Sequence, residues 1–216
     1  MKSAGAVGAW RALRILGVLL LYLPAACAPT PLPKPLMVSA YASPAAEPWL
    51  TDLYTCAADS NAVINITTAS PAISLRIGEP ETLTTPAFQI GSEEILIVTQ
   101  RQNPLELTVD EARTLFAQGG GTGQVWVYPA DTDLQKAFEQ LVMQGRRITS
   151  SAGVTVSPQE MSAALLSDPA ALGILPRRAL TDDLRVVASA GSVPVLALTK
   201  DTPQGAVKEL IACLQK

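Results

Sequence analysis

Residues 93–121 read EEILIVTQRQNPLELTVDEARTLFAQGGG. The opening run, 93–100, is rich in Ile, Leu, Val and Thr and predicts a strand that Asn103-Pro104 brings to an end. Thr108 then stands three residues before Glu111, the spacing of a capping box, and Val109, Ala112, Leu115 and Phe116 fall on one face of a helix. After the glycines, QVWVY at 124–128 predicts the next strand. Strand, helix and strand joined by short connections are the unit of an α/β fold with mainly parallel sheets. The glycine-rich stretch QGGGTGQ (118–124) runs from helix into strand and has no lysine. Phosphate-cradling loops run the other way, from strand into a helix N-terminus, so this stretch reads as a flexible connection.

The same alternation extends in both directions. LMVSAYA (36–42) predicts a buried strand, and Ser43-Pro44 reads as N-cap and first-turn proline of a helix that continues to about residue 59. AVINITT (62–68) predicts a strand, and SPAISLRIGEP (70–80) a short helix followed by a strand. A helix is expected over 132–144, and another after Ser157-Pro158, with Glu160 completing a capping box. Strands follow at 171–175, 184–188 and 193–199, and a last helix opens after Thr202-Pro203. In such sheets ligands sit outside the carboxyl ends of strands. The hydroxyls near those turns, Ser39, Ser43, Ser70, Thr132 and Ser150, are therefore the candidate ligand-binding groups, with Tyr128 as a hydrogen-bonding or stacking partner. Each hydroxyl also has an ordinary structural use as a helix cap.

The first 26 residues carry Lys2, Arg11 and Arg14, no acidic side chain, and an apolar core from about Ile15 to Leu23. That core is shorter than the roughly 20 apolar residues of a spanning helix and suits an export signal. LPAAC (23–27) resembles a bacterial lipobox, with Pro24 where leucine is usual, which makes Cys27 the expected lipidation site. Prolines at 29, 31, 33 and 35 favour an extended tether over 27–35. The expected location is extracytoplasmic, as a membrane-anchored lipoprotein at the bacterial cell surface or in the periplasm.

The whole chain has 16 Lys and Arg against 19 Asp and Glu. Loss of the leader would leave 13 against 19, a net charge of −6, which argues against a nucleic-acid surface. The chain contains no histidine, so Ser-His-Asp hydrolysis, Cys-His nucleophiles and His-ligated zinc lack their central residue. No catalytic group, metal or cofactor is expected, and the chain does not read as an enzyme. Cys56 and Cys213 each lie beside the apolar stripe of a predicted helix. An oxidising exterior favours their pairing, which would hold the first and last helices together; two buried thiols are the alternative.

The stretch at 93–121, the VWVYPADTDLQKAFEQLV that follows at 125–142, DPAALGILPRR (168–178) and VPVLALTKDTPQGAVKELIACLQ (193–215) together resemble, in this order, the phosphate-type periplasmic solute-binding proteins of ABC transporters. The resemblance implies a two-lobed type II periplasmic-binding-protein-like fold with a hinge of crossing strands. One lobe would be 36–98 with 189–216 and the other 99–188, and the returning C-terminal helix would bring Cys213 towards Cys56. It implies binding of a small polar solute, phosphate or another oxyanion among them, between the lobes and delivery to an ABC permease. The anion loop departs from the family pattern. Phosphate binders carry an arginine four residues before Ser-Gly-Thr, and those places, aligned through Phe138, are Tyr128, Thr132, Asp133 and Leu134. Arg76 or Arg101 would have to supply positive charge instead. The alternative reading is a surface lipoprotein that keeps this fold for sensing or protein contact.

Overall fold

The computed structural model describes residues 34–119 and 123–216. The leader, Cys27, most of the tether and residues 120–122 of the glycine-rich stretch lie outside the described residues. Strand β1 (Leu36–Ala42) buries Val38 and Ala40, and helix α1 (Leu50–Asp59) buries Leu53, Cys56 and Ala57. The helix starts later than Ser43-Pro44 suggests. A turn and a 3-10 segment (Glu47–Trp49) intervene, and the Ser43 side chain is engaged elsewhere. Strand β2 (Ala62–Ile66) and strand β3 (Ile73–Ile77) flank β1, both parallel to it. Between them the expected short helix is replaced by a turn. Both the carbonyl and the hydroxyl oxygen of Ser39 accept the Ala72 N–H at 3.0 Å, and Ser70 sits at a φ of 46°.

Two long strands dominate the molecule: β4 (Ala87–Gln100) and β8 (Leu184–Leu198), antiparallel along their length. The sequence divides β8 in two at its small polar stretch around Gly191. The structure carries it through as one strand, because irregularities at Gln89/Gly91, Ile95/Leu96 and Ile97/Val98 of β4 absorb the mismatch in register. Gly91 is required sterically: a Cβ there would lie 2.2 Å from Cη2 of Trp49.

Strand β5 (Trp126–Val127) pairs in parallel with β6 (Gly153–Val154), and a parallel bridge from Val125 to Leu172 leads towards β7 (Gly173–Pro176), which pairs with β4. One lobe thus has the order β2-β1-β3-β8-β4 and the other β6-β5-β7-β4-β8. Among the described residues, every antiparallel ladder involves a crossing strand, and the ladders within each lobe are parallel.

Helix α2 (Val109–Gln118) begins with the capping box of Thr108 and Glu111. Helix α3 (Asp133–Phe138) continues into a π-helical turn (Glu139–Met143) closed by Gln144 in the left-handed region. Phe138 meets Phe116 of α2 with ring centroids 4.8 Å apart. Helix α4 (Pro158–Ser167) covers β7, where Met161 and Leu165 take up the space over Gly173. The closing helix α5 (Gly205–Leu214) returns to α1, and a Cys56–Cys213 disulfide joins the two with Cα atoms 5.8 Å apart.

Candidate functional site

The carboxyl ends of β1 and β3 in one lobe face the loop after β5 in the other. Thr132 caps α3, its hydroxyl accepting from Gln135 N–H and donating to the Pro129 carbonyl, and this makes Asp133 the first helical residue. Asp133 is 9 % exposed. Its Oδ1 accepts the Leu134 N–H at 2.8 Å, while Oδ2 accepts the Ser43 hydroxyl at 2.5 Å and the Ile77 N–H at 2.8 Å. Ser43 follows β1 and Ile77 ends β3, so one carboxylate from α3 satisfies two donors of the opposite lobe. One turn further along, Lys136 pairs with Glu81 at 3.0 Å across the same gap, an exposed pair that contributes little.

Asp133 lines two cavities. One, about 380 Å³, is bordered by Tyr41, Ser43, Ser74 and Arg76 on one side and Asp131 and Thr132 on the other. The second, about 310 Å³, has Gly78 and Glu79 together with Lys136 and Gln140, and Ser192, Val193 and Pro194 of β8 along it. Arg76 is steadied by a 3.1 Å bond from its Nε to the Gly78 carbonyl. The first cavity therefore offers a guanidinium, a carboxylate and hydroxyls to whatever enters it.

No family model and no curated protein matches the chain. Solved structures do match it. A Clostridium perfringens structure assigned as a phosphate ABC transporter substrate-binding protein, with bound phosphate, is similar at a TM-score of 0.73 and 14 % identity, over 82 % of this chain and 92 % of that one. An ABC-type phosphate transport receptor from Vibrio cholerae is similar at 0.61 and 16 % identity, over 83 % and 93 %. The fold is that of the periplasmic binding proteins. It also serves regulators: a variant of the OxyR2 regulatory domain from Vibrio vulnificus is similar at 0.63 and 11 % identity, over 84 % and 96 %.

Of the candidate ligand groups, the binding-protein fold brings Ser43 and Thr132 to the interlobe gap and takes the others elsewhere. Tyr128 belongs to the core: it is 4 % exposed and its hydroxyl donates to the Ile174 carbonyl at 2.9 Å. Burial pushes that phenol well above its ordinary range, so it stays neutral. Ser39 is engaged with the β2–β3 connection, and Ser70 lines a separate hollow with Thr199 and Gln204. Ser150 is exposed in a turn and lines neither interlobe cavity. Of the two arginines proposed as charge donors, Arg76 is in place, whereas Arg101 donates to the Asp182 carbonyl at 2.6 Å and lines neither cavity. Sequence reasoning missed Tyr41 and Ser74. Both alternate with buried residues along their strands, a signal that could have placed them on the outer face.

A second set of contacts holds the lobes on the other face of the crossing strands. Glu93 pairs with Val193, which shares its face of β8 with Val195, the partner of buried Ile77; Arg76, which lines the larger cavity, pairs with Leu196, so Glu93 points to the opposite face from Arg76. Its carboxylate accepts Trp49 Nε1–H at 2.8 Å and the Arg178 N–H at 3.0 Å. The Arg178 guanidinium lies 3.6 Å from the Trp49 ring centroid and pairs with Asp52 at 2.7 Å. Beside it, hydrogen bonds from Arg177 and Ser189 hold the Glu94 carboxyl below the usual range.

Proposed function

We propose that this chain is an exported, lipid-anchored solute-binding protein of the phosphate-transporter type, closing two lobes over a small polar solute and presenting it to an ABC permease. The observation that carries this reading is the cavity of about 380 Å³ with walls from both lobes, set at the carboxyl ends of β1 and β3 and the turn after β5. Arg76 and Asp131 give its lining both signs of charge, which suits a solute with donors and acceptors better than a bare oxyanion. The leader and the lipobox-like Cys27 supply the export and anchoring part of the proposal. Binding of this kind works by differential affinity for closed and open arrangements and needs no bond-breaking.

A melting scan of the purified protein with amino acids, simple sugars, divalent cations, phosphate, sulfate and molybdate in turn tests the cargo. A solute at about a hundred times its dissociation constant stabilises by about 2.7 kcal/mol, a rise of several degrees in a domain this size. No response across the panel would favour the second reading, a tethered lipoprotein using the fold for sensing or protein contact. The commitment of cleft donors to Asp133 is the observation on that side. The anchor is tested separately. Mass spectrometry of protein from a bacterial membrane should find acyl chains on an N-terminal Cys27 and none after Cys27→Ser; an unmodified wild-type Cys27 would overturn that part.

A further inference from the structure

We infer that Asp133 is the specificity-determining residue of the cleft: its carboxylate acts as a tethered anion, filling a three-donor receptor assembled from both lobes and so barring free oxyanions from it. The inference rests on the reading of the interlobe gap as the binding cleft.

Three donors converge on this side chain: the Ser43 hydroxyl at 2.5 Å, the Ile77 N–H at 2.8 Å and the Leu134 N–H at 2.8 Å. Two come from one lobe and one from the other. Such convergence on a single small anion is how backbone and hydroxyl groups recognise an oxyanion, and here the anion belongs to the protein. A main-chain N–H in a buried setting requires an acceptor. Ile77 is 0 % exposed, so its N–H must meet Asp133 or whatever replaces it. Arg76 and Lys136 line the cavities on either side of the carboxylate, with Asp131 and Glu79 as the opposing charges. Truncating Asp133 would join cavities of about 380 and 310 Å³ around a set of donors with no acceptor. That is room enough for a tetrahedral anion.

The test uses full-length, detergent-solubilised protein and inorganic phosphate at matched ionic strength. Wild type should show no saturable rise in melting temperature. Asp133→Ala should melt lower in chloride and regain several degrees in millimolar phosphate, with a saturable midpoint. Adding Ser43→Ala to that variant should weaken the phosphate response about tenfold or more, as loss of a hydrogen bond to a charged ligand does. Asp131→Ala is the control: it removes a negative charge from the same cavity and leaves the receptor filled, so it should not respond. If the alanine variant fails to fold in chloride, Asp133→Ser, which retains a short acceptor for the helix N-terminus, is scanned in the same way. Should that fail too, phosphate but not chloride must restore the folded fraction. A folded Asp133 variant that responds no more than wild type or Asp131→Ala, or a wild type that binds phosphate as tightly as the variant, overturns the inference. Failure of the proposed function looks different: wild type would bind no solute at all, while the phosphate comparison between variants would stay readable.

Discussion

Replacing Cys56 and Cys213 with serine should lower the unfolding free energy by about 5 kcal/mol, among the largest losses available to a double substitution in this chain. The bridge spans 157 residues of sequence and joins α1, the first helix of the domain, to α5, the last. A cross-link of that span removes much of the freedom of the unfolded chain, and the loop-entropy relation gives its size. In a domain of this length the loss corresponds to a fall of about 10–20 °C in melting temperature. Guanidinium unfolding of the oxidised wild type against the double serine variant measures it directly. The folded state should change little, because Leu53 and Ala57 of α1 and Leu210, Ile211 and Leu214 of α5 are buried without help from the sulfurs. A loss below about 1 kcal/mol would mean that the unfolded chain keeps its ends together by itself.

Much of the fold was legible because its signals are local. The capping box at Thr108 and Glu111, the strand at 36–42 and the helix before the C-terminus each depend on residues within a few positions of one another. The failures are long-range. β8 reads as two strands because the segment around Gly191 lacks apolar alternation, and only its pairing with β4 makes it continuous. Ser43 has the local pattern of a helix cap, yet its hydroxyl goes to Asp133, ninety positions away in sequence. Asp133 itself was legible as the acid that stands where phosphate binders have the glycine of Ser-Gly-Thr. Nothing local indicates that two donors of the other lobe would close on it. Tyr128 was misplaced for the mirror-image reason: it stands just past the end of β5, where a cleft residue would be, but its side chain is buried and its hydroxyl is taken up by the Ile174 carbonyl. The candidate site is thus half-readable from sequence, since a cleft is made by residues that are neighbours only after the lobes meet.

The face opposite the cleft leads to the second large effect. Glu93→Ala should destabilise the protein by about 3–5 kcal/mol, the range found when one partner is removed from a buried polar or ionic set. Glu93 is 2 % exposed, and its two oxygens are the acceptors for Trp49 Nε1–H and for the backbone N–H of Arg178. Alanine leaves both donors facing a space closed by the Trp49 ring, which is itself 6 % exposed and seated against Gly91. Orphaning buried donors is what makes this loss larger than the net value of the bonds themselves. Arg178→Ala, by contrast, keeps its own N–H on Glu93 and gives up a half-exposed ion pair with Asp52, a long 3.9 Å ion pair with Glu93 and a stacking contact, so about 2–3 kcal/mol is expected. Urea unfolding of the two variants separates these cases. A Glu93→Ala loss no larger than that of Arg178→Ala would mean that water reaches the orphaned donors and that the clasp is not dry. The expected ordering would instead identify Glu93 as the point where β4, the Trp49 turn of one lobe and the Arg178 turn of the other are held together. The crossing strands would then be restrained on this face by Glu93 and on the cleft face by Asp133, and only the second restraint stands where a ligand could replace it.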